Sequence, residues 1–224
     1  MQFVKKYWWK IITVILMSWV IVGGLVYPIP DLPVLNESAR NLFFHVPMWY
    51  VMLICFFTST VYAVLYLNNP KEHYDAISLS LIKVGLLFGV MGLTTGMLWA
   101  SGTWGSPWNN DPKQVGSALT LLTYAAYLVL RNTVRDKNKA PKLAAVYNVF
   151  ALALIIPLLY IIPSRLEGLH PGSVEDDVLA AMKGQASSFK AVSLPAFLGW
   201  VMLGLWIFDI RYRIEKLIMK RNEI

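Results

Sequence analysis

Cysteine is all but missing from this chain: of 224 residues, only Cys55 carries a thiol. That excludes a disulfide framework, a CxxC redox pair and a cysteine-based zinc site. Charge is scarce as well, at 15% of the residues, where a soluble domain has about a quarter. In its place 57% of the residues are hydrophobic and 13% aromatic, with a mean hydropathy of +0.53. These figures exclude a soluble globular enzyme, a disordered tail and a nucleic-acid module. The net charge of +7 therefore reads against a lipid bilayer before any acidic partner. The sequence describes an integral membrane protein, all-α, with one domain over residues 1–224.

A hydrocarbon core of about 30 Å takes about 20 apolar residues per helix. Six stretches meet that need: Ile11–Tyr27, Phe43–Leu67, Ile77–Ala100, Val115–Leu130, Leu143–Ile162 and Val192–Ile210. Lys5, Lys6 and Lys10 precede the first as they would a signal peptide. Tyr27-Pro28-Ile29-Pro30 follows it instead of a small-residue cleavage site, so a retained anchor is expected. Lysine and arginine then set the orientation. The N-terminus, the second and fourth loops and the C-terminus hold 14 of them. The first, third and fifth loops hold 5, namely Arg40, Lys113, Arg165, Lys183 and Lys190. The positive-inside rule gives a six-helix transmembrane bundle with both termini cytoplasmic and the tryptophan-rich third loop external.

Ionisable residues are nearly absent from the middle of the spans. Lys83 can reach inward along its stem, and Asp209 falls at the cytoplasmic end of the sixth stretch. Pumps and transporters need buried carboxylates, histidines or broken half-helices at that depth. Pro157, Gly89, Gly92 and Gly96 can loosen helices, but no charged partner accompanies them. Any chemistry is expected at the outer surface.

The third loop runs Trp99-Ala-Ser-Gly102-Thr-Trp104-Gly105-Ser-Pro107-Trp108-Asn-Asn110-Asp111-Pro112-Lys113-Gln114. Asp111 is expected to cap the fourth helix, with Pro112 at its first position and Gln114 at its third. Tryptophans gather at membrane interfaces in any case. Three within ten residues, stiffened by Gly102, Gly105 and Pro107, instead suggest an aromatic shelf for a flat polycyclic ligand. Only three histidines exist, and His73 belongs to the inner second loop. His45, in an apolar setting of Phe43, Phe44, Val46 and Trp49, opens the second helix; His170 lies in the fifth loop. Singly, either is an ordinary interfacial histidine. Together, on one side of the membrane, they can supply both axial imidazoles to a haem iron. Ser173 can cap a short interfacial helix to about Lys183, which Gly184 would stop. Arg40 suits a haem propionate, or equally a lipid phosphate.

With these residues in place, the chain resembles the haem-handling membrane proteins of cytochrome c biogenesis, which share a tryptophan-rich outer loop flanked by external histidines. Within them it looks most like the cytochrome c maturation protein C (haem exporter protein C) branch. The resemblance rests on Ala39-Arg40 with His45-Val46-Pro47, on Trp104-Gly105-x-x-Trp108-x-x-Asp111, and on Leu169-His170-Pro171-Gly172-Ser173. It implies transient, non-covalent haem b at the outer face of a bacterial inner membrane, with His45 and His170 as iron ligands. It also implies that Trp104, Trp108 and Asp111, with Trp99 and Arg40 nearby, form the surface for haem and for a membrane-anchored haem chaperone. An ABC-type transporter pair and a small membrane protein are the further partners it implies. Pro107 and Asn110 stand where the family usually has further tryptophans. Asp111-Pro112-Lys113 looks more like the related cytochrome c synthase branch.

The expected activity is therefore haem binding and delivery, with no catalysis in the strict sense. A cytochrome c synthase subunit would need a large outer domain, and the longest outer segment here spans only about 164–191. A respiratory cytochrome b usually needs about four helix-borne histidines for two haems. A haem-free permease subunit, with belt tryptophans and incidental histidines, is the remaining alternative.

Overall fold

The computed structural model describes residues 2–29, 36–136, 138–170 and 187–221, and among these the ordered elements are all helical. They are α1 (Gln2–Val26), a 3-10 turn (Asn36–Asn41), α2 (Leu42–Asn68), α3 (Glu72–Thr103), α4 (Pro112–Thr133), α5 (Lys139–Ile156) and α6 (Ser187–Arg221). A π-turn at Pro157–Ile161 continues α5. Each expected span falls on one of these helices. The short helix expected over Ser173–Lys183 lies outside the described residues.

Five of the helical segments are long and apolar enough to cross a membrane: Tyr7–Val26, Glu37–Asn68, Glu72–Thr103, Lys139–Ile161 and Phe189–Arg221. α4 falls short because its polar groups face the bundle. Gln114, Ser117, Thr120, Tyr124 and Tyr127 are all buried. Asp111 caps α4 as its sequence position predicts, accepting from the backbone N–H groups of Lys113 (2.9 Å) and Gln114 (3.3 Å). Gln114 reaches back to the N–H of Asn109, two residues before the cap.

The central pair is α2 and α3, antiparallel and close. Their seam matches large residues to glycines in strict register. Gly85, Gly89, Gly92 and Gly96 meet Phe56, Met52, Trp49 and His45, so that a Cβ at Gly85 would stand 2.5 Å from the Phe56 ring. Small residues let two backbones approach where hydrocarbon supplies no hydrophobic drive.

Two prolines lie inside helices, Pro47 in α2 and Pro195 in α6. Each lacks an N–H and leaves the carbonyl four residues earlier without its helical donor. Both carbonyls find an indole. Trp200 Nε1 donates to the Phe43 oxygen at 3.1 Å, and Trp19 Nε1 donates to the Ala191 oxygen at 3.0 Å. The same two bonds join α6 to α2 and α1 to α6.

Polar contacts tie the other end. Asn148 on α5 donates to Ser59 (2.8 Å) and Ser78 (3.2 Å) and accepts from Thr60 (3.1 Å), knitting α2, α3 and α5. Arg131 on α4 pairs with buried Asp75 on α3. Lys83 does not simply reach for solvent: it binds Glu215 at 2.9 Å. That pairing holds α6 in a packed helix well past Ile210, where the apolar stretch ends.

Candidate functional site

Residues far apart in the chain gather along the last third of α3 and the start of α4. His45 stands in the first turn of α2, half-buried against the last third of α3. Its Nδ1 lies 2.9 Å from the Gly92 carbonyl oxygen and 3.3 Å from Thr95 Oγ1. A carbonyl only accepts, so Nδ1 carries the proton and Nε2 keeps its lone pair. Gly96 makes room for the ring: a Cβ there would stand 2.7 Å from Cε1 of His45. Trp49 packs edge-on, with ring centroids 6.2 Å apart.

His170 approaches the end of α3, beyond the stretch that holds His45, from the opposite end of the sequence. Its ring lies 5.1 Å from Trp104 and 6.4 Å from Trp99, and those two indoles meet edge to face at 5.1 Å. Its Nδ1 is 2.8 Å from Asp111 Oδ1. The second carboxylate oxygen accepts from the backbone N–H of Leu169 (2.7 Å) and of His170 (3.3 Å). A carboxylate at this position accepts from the Nδ1–H, and in the neutral ring that again leaves the lone pair on Nε2. Burial pushes the Asp111 carboxyl up. The hydrogen bond and charge interaction with His170, with the N–H groups of Leu169 and Gln114, outweigh it and hold the group well below the usual carboxylate range.

The tryptophans divide. Trp99 and Trp104 form a corner around His170, and Trp99 Nε1 donates to Ser38 at 3.2 Å. Trp108 stands exposed and donates its indole N–H to Asn110 Oδ1 at 2.8 Å. The expected single flat shelf is thus a two-ring corner with a third ring apart. The reason lies in the backbone: Gly105, at φ +78°, lies between Trp104 and Trp108 and lets the loop turn there, and Asn110 takes φ +54° just beyond Trp108. Asparagine tolerates that left-handed region better than a tryptophan would.

Arg40 faces inward along the chain. Its Nη1 donates to the carbonyls of Gly24 (3.0 Å) and Tyr27 (2.8 Å), and its Nε pairs with Glu37 at 2.6 Å. It closes the C-terminal end of α1. The sequence singles out His45 and His170 and reads Gly92 and Gly96 only as loosening α3; that these two, with Thr95, hold the His45 ring was missed. The available signal was spacing: glycines at 85, 89, 92 and 96 mirror large residues at 56, 52, 49 and 45.

Among the described residues no three His, Cys, Asp or Glu side chains converge. A bare ion has no ligand set there. Two well-oriented imidazoles with aromatic walls fit an iron that brings four ligands of its own.

Comparison with known proteins leads the same way. The cytochrome c assembly protein family matches residues 7–170. The cytochrome c biogenesis protein CcsA of Synechococcus sp. (strain CC9605) is 36% identical over 86 residues, 38% of this chain and 28% of that protein. The CcsA protein of Prochlorococcus marinus (strain NATL1A) is 37% identical over 81 residues, 36% of this chain and 26% of its own length. The matched stretch thus spans little more than a quarter of these relatives. With the family match running over most of the chain and through both histidines, this protein belongs to the cytochrome c assembly protein family.

Proposed function

We propose that this protein holds haem at the outer face of a bacterial cytoplasmic membrane and passes it on during cytochrome c maturation. His45 and His170 ligate the iron through Nε2, and Trp99 and Trp104 wall the ring on the His170 side. One observation carries the reading: two histidines 125 residues apart in sequence both pack toward the C-terminal end of α3, each with Nδ1 already engaged. The cargo must leave again, so a half-exposed site formed by a loop and a helix mouth suits delivery. The recipient is a membrane-anchored haem chaperone, and the protein works beside ABC-type transporter subunits and a small membrane protein. It binds and releases without catalysing a bond change. Haem b is the form carried.

Six spans follow if α4 crosses with the rest, shielded from lipid on its polar face. The Lys/Arg excess then leaves both termini cytoplasmic and the His45–His170 end periplasmic.

The test is an absorption spectrum, oxidised and reduced, of protein purified in mild detergent from haem-replete cells. A low-spin bis-imidazole spectrum is expected, lost in His45→Ala and in His170→Ala while both variants still insert. No haem, or a spectrum indifferent to both substitutions, overturns the reading.

The Asp111-Pro112-Lys113 stretch, which looks like the cytochrome c synthase branch, favours one second reading, a subunit that joins haem to apocytochrome cysteines. Covalent haem on a co-expressed apocytochrome, in cells with no other maturation system, would replace delivery by ligation chemistry.

A further inference from the structure

The Asp111 carboxylate does more than an N-cap requires. Capping α4 takes a single oxygen, and Oδ1 alone accepts from Lys113 and Gln114. Asparagine or serine would serve as well there. Its other hydrogen bonds reach the His170 segment: Leu169 N–H and His170 N–H on Oδ2, and His170 Nδ1 on Oδ1. Asp111 is 4% exposed, so water competes for little of this. Gly168 is part of the fit, because a Cβ at that position would stand 2.8 Å from Oδ2. Each of these partners is a donor, so both oxygens must be acceptors. Only a carboxylate offers that; the amide of an asparagine would turn its own N–H groups on the N–H of Leu169 and His170.

We propose that Asp111 is a positioning residue for haem, acting through His170 and touching neither the porphyrin nor the recipient protein. The inference rests on the haem reading above. The carboxylate fixes the ring in the Nδ1–H form, aims Nε2 outward from its own partner, and makes the imidazole a stronger electron donor to iron. A more strongly donating axial ligand favours ferric over ferrous iron. Asp111 thereby lowers the reduction potential of the bound haem and ties that potential to the docking of the 168–170 segment on the start of α4. By thermodynamic linkage, Asp111 raises the affinity for ferric haem relative to that for ferrous haem.

The experiment is spectroelectrochemical titration of haem bound to the full-length protein, wild type against Asp111→Asn. This substitution keeps the helix cap but removes the anion. A more positive midpoint potential with low-spin ligation retained is expected, and an unchanged potential overturns the proposal. His170→Ala separates the two layers. If that variant keeps the wild-type spectrum, the haem reading itself has failed; if it loses the spectrum, the Asp111 result stands by itself. A second measurement needs no variant to fold with haem. The ¹⁵N spectrum of histidine-labelled, haem-free wild-type protein has three residues to resolve, with His170→Ala giving the assignment. An Nδ1–H tautomer at His170 supports the proposal, and an Nε2–H tautomer overturns it.

Discussion

The indole nitrogen of Trp200 sits 3.1 Å from the carbonyl oxygen of Phe43 and fills the acceptor that Pro47 leaves open one turn later. Trp19 repeats the arrangement at Ala191, opposite Pro195. An unsatisfied carbonyl in hydrocarbon is costly, so neighbouring helices supply the donor. Trp200→Phe keeps the aromatic bulk and removes the donor. It is expected to cost about 1–3 kcal/mol in denaturant unfolding in detergent, and Trp19→Phe rather less, because its bond is more exposed. The explanation fails if Trp200→Phe unfolds like the wild type.

Gly96 decides whether His45 has a place to stand. A Cβ at position 96 would meet the imidazole at 2.7 Å, whereas one at Gly102 would meet nothing within 4 Å. Both lie on α3. Gly96→Ala should weaken the six-coordinate haem spectrum while helicity by circular dichroism is unchanged; Gly102→Ala should leave the spectrum alone. Equal spectra from the two variants would refute the packing argument.

Trp104 and Trp108 should separate on mutation. Trp104 packs against His170 at 5.1 Å, while Trp108 binds Asn110 and faces out. Trp104→Ala is expected to disturb iron ligation and delivery alike. Trp108→Ala is expected to keep ligation intact and to slow loading of a haem chaperone in a membrane assay. Identical losses in both variants, by spectrum and by transfer, would put the two rings in one functional unit after all.

Glu215 answers two cations, Lys83 at 2.9 Å and Arg211 at 3.2 Å, and is itself 5% exposed. Removing the anion strands both; removing Lys83 leaves the other pair. Glu215→Leu should therefore cost about 3 kcal/mol and Lys83→Leu about 1 kcal/mol in unfolding free energy. The double variant should recover much of the loss, since only Arg211, its side chain about a third open to solvent, is left without its anion. A double variant as unstable as Glu215→Leu would contradict this account.

Much of the fold was legible in the sequence because lipid imposes a simple rule: backbone groups must be satisfied within helices, and helices must be apolar. That rule located the six long helices found among the described residues. It says little about α4, whose inward polar face lowers its hydropathy, or about α6, which outruns its apolar stretch to let Glu215 reach Lys83. The cap at Asp111 was equally legible, since Asp-Pro-x-Gln carries its own local geometry. What Asp111 does with its second oxygen was not, because Leu169 and His170 are nearly sixty residues away.

Local chemistry and hydropathy, both short-range in the chain, were enough to determine a membrane-spanning helical protein and to nominate His45 and His170 as a pair beside the tryptophans. Tertiary structure alone decided which nitrogen each ring keeps free, through Gly92 for one and Asp111 for the other. It also drew Arg40 to the end of α1 and split the tryptophans into a corner and an outlier. Those outcomes depend on which surfaces lie within about 3 Å of each other once the helices pack, and only the packed bundle fixes distances on that scale.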